Sequence, residues 1–264
     1  MSFFRINANQ IEQYKKDGFF VFPDLLDGEE VRLLSEIARA DHELKQKVAR
    51  RADGEGGAID LVVSNDLPTD SIYGAIVRSE RIVQAMEMLL TDEVYHYHHK
   101  MILKEPRIGG AWTWHQDYGY WYHNGCLFPH LASCMIALDK ATKENGCLQV
   151  LRGSHQMGRI DHGKVGDQTG ADLERVQAAL ERFEMVYCEL DPGSAIFFDS
   201  DLLHRSDQNH SDNPRWAFIC CYNARHNDPY KDSRHPRHTP LEKWPDGKVK
   251  EVGRTQSRRQ QAVL

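Results

Sequence analysis

The chain has 264 residues, of which 41% are hydrophobic, and it carries a formal net charge of -6. This length suits one large domain or two small ones with a sizeable core. The negative charge gives no general attraction to nucleic acid or anionic membranes, and no apolar run approaches the roughly 20 residues that span a bilayer. The six cysteines form no CxxC pair, so we expect free thiols in a reducing compartment, the cytoplasm.

The first third of the chain is predicted to be largely helical. Residues 8–17 fit a short helix, and "GFFVFPDLL" fits a strand followed by a turn. Asp27 is a good N-cap for a helix over about 28–48, with acidic residues in its first turn. The stretch "RADGEGGAIDLVV" indicates a glycine-rich loop, and residues 70–90 indicate one or two helices.

From about residue 93 the pattern changes to short β-rich runs separated by Gly, Pro, Asn or Asp. Residues 171–185 predict a single amphipathic helix between strands. Many short strands after a helical region indicate a mainly β fold with flanking helices, a sandwich or jelly roll. We find no repeat or linker and predict one domain, 1–264, made of a helical N-terminal support (about 1–92), a β core (about 93–228) and a basic C-terminal tail (about 229–264). We expect the tail to be a solvated surface segment or an oligomer contact.

The aromatic stretch "TWHQDYGYWYHNG" contains a histidine and an aspartate two residues apart, His115 and Asp117. On a strand, residues i and i+2 face the same way, so the two side chains are expected to point together. An imidazole and a carboxylate are two ligands of the two-His-one-carboxylate site of non-haem Fe(II) oxygenases, which leaves positions open for co-substrates. The pair alone is also compatible with a structural histidine beside a surface aspartate.

The remaining ligand must come from a distant strand, and His204 is the best candidate. It ends a strongly apolar run, "GSAIFFDSDLLH", where a buried imidazole needs a partner. Arg215 follows at the start of another apolar strand. Its guanidinium needs a carboxylate or phosphate, which is either internal to the protein or part of a bound diacid.

Several segments together carry a resemblance to a known family. They are "WHQD", "ENGCLQVLRGSH", "DPGSAIFFDSDLLHRS", the Arg215 position and the opening "YKKDGFFVFPDLLDGEEVRLL". Over roughly residues 8–230 the chain resembles the phytanoyl-CoA dioxygenase (PhyH) family of Fe(II)/2-oxoglutarate oxygenases, including its ectoine hydroxylase-like members.

The resemblance implies a double-stranded β-helix core, the cupin-like form of the jelly roll. It implies that Fe(II) is bound by three residues, namely His115, Asp117 and His204. It also implies that Arg215 binds the distal carboxylate of 2-oxoglutarate with help from Ser206, and that O₂ is the second co-substrate. Trp121 matches an aromatic position that walls the co-substrate pocket in the ectoine hydroxylase-like members.

Residues around these motifs are candidates for the substrate pocket. His96 and His98 are expected to share one face of the strand in "YHYHH", and a pocket role for His98 competes with a core or surface position. Lys104 is expected to be a surface or pocket-rim lysine, with a ligand role as the alternative. Four residues after the His–x–Asp pair either form the substrate wall or pack the loop: Tyr118, Tyr120, Tyr122 and Asn124.

The sequence therefore predicts a dioxygenase that hydroxylates an unactivated C–H bond of a small organic substrate and releases succinate and CO₂. An amino-acid-like zwitterion, an aminophosphonate or a secondary metabolite are candidate substrates. An acyl-CoA is an alternative, for which only the basic tail offers a nucleotide-binding groove. A cupin-like sensor that binds metal without turnover and a zinc hydrolase also stay open. We expect no nucleic-acid or membrane partner, and the sequence does not indicate an oligomeric state.

Overall fold

The computed structural model of the chain describes residues 5–53, 56–165 and 167–262. Within these residues the helices are α1 (Ala8–Asp17), α2 (Gly28–Ala40), α3 (His42–Gln46), α4 (Ile72–Arg78), α5 (Glu80–Leu90), α6 (Asp117–Trp121), α7 (Leu173–Leu180) and α8 (Lys248–Gln261). The strands are β1 (Phe19–Phe22), β2 (Ala49–Ala52), β3 (Ala58–Ser64), β4 (Val94–Lys104), β5 (Trp112–His115), β6 (Leu131–Ala137), β7 (Leu148–Leu151), β8 (His162–Val165), β9 (Gln168–Ala171), β10 (Met185–Cys188), β11 (Ala195–Asp199), β12 (His204–Ser206) and β13 (Arg215–Ala224).

Two antiparallel sheets form the centre of the fold. In the described part of the chain, the larger sheet has the strand order β1-β11-β6-β13-β4-β3-β2 and the smaller sheet has the order β10-β7-β12-β5. A buried cluster joins Met135 and Phe198 of the larger sheet to Leu148 and Val150 of the smaller one. The sheets therefore pack face to face as the two layers of a jelly roll, which confirms the predicted mainly β fold.

The N-terminal helices cover the outer face of the larger sheet. Leu34 and Ile76 on these helices belong to one buried cluster with Phe197 and Phe218 on the sheet. The larger sheet is therefore buried on both faces, by the helices on one side and by the smaller sheet on the other.

Helix boundaries follow local capping. Asp27 is the N-cap of α2, as predicted, and its carboxylate accepts hydrogen bonds from the backbone N–H groups of Glu29 and Glu30. The helix ends at Ala40 and not near residue 48, because Asp41 adopts an extended conformation and caps α3 through the N–H of Leu44 at 2.9 Å.

The helix predicted over residues 171–185 is also shorter than expected. Asp172 caps it by accepting a hydrogen bond from the N–H of Arg175 at 3.0 Å, so α7 begins at Leu173 and ends at Leu180. The residues at both predicted ends pair as strands, β9 before the helix and β10 after it. Helical periodicity alone did not show that these flanking residues have strand partners.

The predicted glycine-rich loop is largely a hairpin. Residues 54 and 55 lie outside the described residues, but the flanking strands β2 and β3 pair up to Ala52 and Ala58. Strand β3 then pairs with β4. The larger sheet therefore includes strands from the region predicted to be a helical support.

The basic C-terminal segment ends in a docked helix. Val249 of α8 is fully buried, and Arg254 donates to both carboxylate oxygens of Glu29, at 2.7 and 2.9 Å. Lys250 lies 2.5 Å from the Asp27 carboxylate, so the basic charges face the acidic first turn of α2. Among the described residues, no helix has both the length and the apolar character needed to span a bilayer.

Candidate metal centre

His115 and His204 meet across two neighbouring strands of the smaller sheet. Strands β5 and β12 are antiparallel, with His204 directly opposite His115, and the ring centroids lie 4.0 Å apart. Asp117 completes the group: one possible ligand atom from each of the three residues lies within 4.8 Å of the others. All three side chains are buried. The structure thus brings together the three residues that the sequence singled out.

Asp117 reaches this group by a different route from the one predicted. Strand β5 ends at His115, and Asp117 is the first residue of α6, so the two do not share a strand face. Gln116 between them is fully buried, and its amide nitrogen donates to the carbonyls of Gly158 and Asp201 at 2.8 and 2.7 Å. This anchored residue fixes the strand-to-helix junction that turns Asp117 towards the histidines.

Backbone carbonyls orient both imidazole rings. The Nδ1 atom of His115 lies 2.9 Å from the carbonyl oxygen of Thr113, and that of His204 lies 2.9 Å from the carbonyl oxygen of Leu202. With Nδ1–H donating to these carbonyls, Nε2 of each ring is left as an electron-pair donor. Burial lowers the pKa of both rings, and the proximity of His204 lowers that of His115 further, so both are held neutral.

The Asp117 carboxylate is also positioned by neighbours. The Ser133 hydroxyl donates to Oδ2 at 3.1 Å, and the Lys100 ammonium lies 3.4 Å from Oδ1. Two neutral imidazoles and one hydrogen-bonded carboxylate are the donor set that suits Fe(II) with open coordination positions. The residues present therefore fit a mononuclear iron centre.

A second group of polar residues lies where β4 and β13 pair. Arg215 stands opposite Lys104, and both are buried, at 4% and 3% exposure. Arg215 Nη2 donates to the carbonyl of Gly146 at 2.7 Å, whereas its Nε has no partner among the described residues. Lys104 donates to the Ser206 hydroxyl at 3.0 Å and to the carbonyl of Asp207.

In the described part of the chain, neither Arg215 nor Lys104 forms an ion pair with a carboxylate. Burial lowers the pKa of Arg215 to about 10, and burial together with the charge of Arg215 holds the pKa of Lys104 well below its usual range. Buried charges of one sign are costly without a counter-charge. An anion placed here would favour the charged forms of both side chains. We refer to three residues, Arg215, Lys104 and Ser206, as the anion pocket.

The prediction that Lys104 lies on the surface or at a pocket rim is wrong. Lys104 and Lys100 lie on β4 four residues apart, so an alternating strand puts both on the same face. That face is the interior of the jelly roll, since Lys100 approaches Asp117 and Lys104 approaches Ser206. The even spacing of Lys100 and Lys104 in the sequence could have predicted that both face the interior. Because lysines usually lie on the surface, this spacing was not interpreted in that way.

A β-bulge changes the direction of the histidines in β4. His98 pairs with Cys221 and His96 pairs with Tyr222, which leaves Tyr97 as an extra residue without a counterpart on β13. His96 consequently turns towards His99, with ring nitrogens 3.2 Å apart, away from His98. The prediction that His96 and His98 share a face is wrong, because a bulge reverses the alternation.

The structure places the other predicted pocket residues at different distances from the centre. The ring of Tyr120 lies 5.6 Å from that of His115, and Trp121 lies 5.6 Å from His98. Asn124 is connected to these rings through Tyr97, to whose hydroxyl it donates at 3.0 Å.

Tyr118 and Tyr122 point elsewhere. The Tyr118 hydroxyl donates to the carbonyl of Cys126 at 3.2 Å, within a packed aromatic cluster. Tyr122 is 42% exposed, with the Arg159 guanidinium 4.4 Å from its ring centroid. Sequence reasoning did not identify two polar side chains near Asp117 and His98, namely Lys100 and His235.

Comparisons with known proteins identify a family to which the chain is similar. The sequence model of the family described as phytanoyl-CoA dioxygenase (PhyH) matches residues 14–217. An L-proline trans-4-hydroxylase from Streptomyces griseoviridis is 29% identical over 241 residues, which cover 85% of this chain and 89% of that protein. An ectoine dioxygenase from Halomonas elongata is 29% identical over 270 residues, which cover 92% of this chain and 80% of that protein.

A solved structure shares the fold. The crystal structure of EctD from S. alaskensis with 2-oxoglutarate and 5-hydroxyectoine superposes with a TM-score of 0.76, at 23% sequence identity, over 93% of this chain and 90% of that one. This similarity confirms the predicted double-stranded β-helix as the core of the fold.

Proposed function

The chain belongs to the phytanoyl-CoA dioxygenase (PhyH) family, an Fe(II)- and 2-oxoglutarate-dependent family of oxygenases, and we propose which of its residues carry the hydroxylation of a small organic substrate. The chain is a dioxygenase, and its co-substrates are 2-oxoglutarate and O₂. The single observation that carries the assignment of residues is the convergence of His115, Asp117 and His204 within 4.8 Å.

These three residues would hold Fe(II). Each histidine presents Nε2, since its Nδ1 is taken by a backbone carbonyl, and Asp117 presents the carboxylate that Ser133 orients. Bound there, Fe(II) with 2-oxoglutarate supplies the activation of O₂ that converts a substrate C–H into C–OH, with succinate and CO₂ as the other products. A set of two histidines and one carboxylate would occupy three coordination positions and leave the others for the co-substrates.

The anion pocket would bind the distal carboxylate of 2-oxoglutarate. Arg215 offers its Nε–H, which has no partner among the described residues, and Ser206 adds a hydroxyl donor. Lys104 offers its amine, whose protonated form a bound carboxylate would favour. A dicarboxylate would provide the counter-charge that this part of the interior lacks. Because Ser206 and His204 lie on the same face of β12, the anion pocket is next to one proposed metal ligand, and a bound keto-diacid would span the two.

The organic substrate is a small molecule that enters beside α6. Tyr120 would form part of its aromatic wall, with His98 as the nearest polar contact and Asn124 supporting the wall through Tyr97. Trp121, expected from the resemblance to wall the co-substrate pocket, lies beside His98 and Lys100, so we assign it to the substrate side of the site. Tyr118 and Tyr122 do not contribute to this wall. The Tyr118 ring packs within the protein, and the Tyr122 ring faces solvent, so either could contact the substrate only through the outer loop. The six cysteines are free and buried, which supports a reducing compartment such as the cytoplasm.

The test of this function is succinate formation from 2-oxoglutarate with Fe(II) and O₂. We expect slow succinate release from the protein alone and faster release when a substrate is present. A protein that forms no succinate with or without a broad panel of small molecules would instead be a metal-binding sensor. A protein that retains Zn(II) and hydrolyses esters or amides would be a zinc hydrolase.

A further inference from the structure

A polar subsite lies next to Asp117, and its Lys100 is four residues before Lys104 of the anion pocket on β4. We name it the β4 subsite and define it by Tyr97, His98, Lys100, Trp121 and His235. Trp121 forms its floor: the His98 ring lies 5.6 Å from the Trp121 ring, and the Lys100 ammonium lies 5.8 Å from the same ring. His235 closes it by stacking on Tyr97 at 4.6 Å and lying 5.0 Å from His98.

The bulge in β4 creates this subsite. Tyr97 is the extra residue, so Tyr97 and His98 both project into the interior beside Lys100. Without the bulge, the alternation of the strand would turn one of the two outward. Bulges of this kind are common next to active sites because they redirect side chains.

The Lys100 ammonium has N–H donors beyond the one that its contact with Asp117 uses. Its ammonium carries three N–H groups, and its only ion pair in the described part of the chain is the 3.4 Å contact with Asp117. That carboxylate is also the proposed iron ligand, so metal binding engages the negative charge that faces Lys100. The Lys100 side chain is 20% exposed, which shows that it borders open space and is not packed shut.

The imidazole nitrogens of His98 are unsatisfied within the described part of the chain. Its side chain is 1% exposed, and neither ring nitrogen has a hydrogen-bond partner among the described residues. Nδ1 of His235 is likewise buried and unpartnered there. A neutral imidazole has one donor and one acceptor, and leaving both unsatisfied in the interior is unfavourable. A ligand that brings both an acceptor and an N–H donor would satisfy it.

Positive charge also borders the metal centre on another side. The Arg51 guanidinium lies 5.7 Å from the ring of Trp112, and that ring lies 5.6 Å from His115. Arg51 is exposed and forms no ion pair within the described residues, so its charge is available to attract an anion.

We propose, on the basis of the proposed function, that the substrate is a small amino or imino acid whose carboxylate pairs with Lys100 and whose N–H donates to His98. Its carbon skeleton lies on Trp121, which holds a C–H bond towards the metal centre. The reaction balances as R–H + O₂ + 2-oxoglutarate giving R–OH + succinate + CO₂. Lys100 and His98 are positioning residues that bind the unreactive end of the substrate, and they take no proton in the reaction.

The experiment compares acids with their own amides. Succinate formation is measured at saturating 2-oxoglutarate with a panel of amino and imino acids, each paired with its carboxamide, and L-proline and L-prolinamide form one pair. We expect stimulation by at least one acid and a KM at least about tenfold higher for its amide, because the amide loses a charge-assisted hydrogen bond. Stimulation led by an amide, or by an amine without a carboxylate, would overturn the proposal.

Variants locate the effect. In Lys100→Met we expect the KM of the acid to rise by about 10- to 100-fold and the preference for acid over amide to disappear, whereas Lys100→Arg retains part of the preference. Lys140→Met is the matched control, because Lys140 is an exposed lysine paired with Asp191 on the surface. An unchanged preference in Lys100→Met would also overturn the proposal.

The outcomes separate this proposal from the proposed function. Uncoupled succinate formation without stimulation by any acid would refute the carboxylate assignment and leave the dioxygenase intact. No succinate under any condition would refute the function itself. If Lys100→Met does not fold, the comparison of acid and amide on the unmodified protein decides.

Discussion

His115 and His204 face each other across β5 and β12 with ring centroids 4.0 Å apart, and each ring is fixed by a carbonyl two residues before it on its own chain segment. The orientation of both rings therefore depends on local backbone geometry and not on a distant side chain. A site organised in this way is preformed before the metal binds, which reduces the entropy lost on binding.

Replacing His115 should remove iron binding without unfolding the protein. Among the described residues the His115 ring makes a single hydrogen bond, to a backbone carbonyl, so His115→Ala should lower the free energy of unfolding by only about 1–2 kcal/mol. Succinate formation should fall below detection. The measurement is thermal unfolding together with succinate release, and unchanged turnover in a folded His115→Ala protein would remove His115 from the ligand set.

Ser133 should tune metal affinity through Asp117. Its hydroxyl donates to Asp117 Oδ2 at 3.1 Å, so Ser133→Ala leaves the carboxylate less well oriented. We expect Fe(II) affinity to fall by about 10- to 100-fold, as for other groups that support metal ligands. Ser257→Ala, in α8 on the far side of the larger sheet, is the control. Equal Fe(II) dissociation constants for the two variants would show that the hydrogen bond has no such role.

Arg215 should matter for 2-oxoglutarate and little for folding. Arg215→Met removes a buried cation that forms no ion pair in the described residues, so we expect the melting temperature of the protein without 2-oxoglutarate to stay the same or rise. The dissociation constant for 2-oxoglutarate should increase by at least about 30-fold. Arg175→Met, on the exposed face of α7, is the control. A large loss of stability with unchanged 2-oxoglutarate affinity would assign Arg215 a purely structural role.

Asp201 should make the fold less stable as the pH rises towards neutrality. Burial and the neighbouring Asp199 raise the pKa of Asp201 from 3.8 to about 7, although Arg159 partly opposes this shift. Between these values the folded protein binds more protons than the unfolded chain, so stability present at low pH is lost as the pH rises through the folded pKa.

The Asp201→Asn variant tests this effect. Going from pH 5 to pH 8, the unmodified protein should lose about 2 kcal/mol more stability than the variant, or about 4 °C more in melting temperature. The measurement is thermal unfolding of both proteins at the two pH values. Parallel changes in the two proteins would show that Asp201 titrates normally.

The general architecture could be predicted from the sequence because its signals are local. The capping box that starts at Asp27 predicts the beginning of α2. Short β-rich runs separated by turn residues indicate the jelly roll. The proximity of His204 to His115 could also be predicted, because a buried polar residue at the end of a strongly apolar strand needs a polar partner.

The details of the site could not be predicted because they depend on strand register. The bulge at Tyr97 appears only when β4 is paired with β13, and it decides which of His96 and His98 faces the interior. The turn at Gln116 likewise depends on carbonyls contributed by Gly158 and Asp201, which are distant in the sequence. Such long-range pairings leave no periodic signal in a single sequence.

The central claim is that His115, Asp117 and His204 hold one Fe(II) to which 2-oxoglutarate binds. The most direct measurement is an anaerobic titration of the protein with Fe(II) and then with 2-oxoglutarate, followed by visible absorption. We predict a charge-transfer band that saturates at one Fe(II) per chain and is absent in His204→Ala. A folded protein that shows no band, or a His204→Ala variant that shows the full band, would contradict the account.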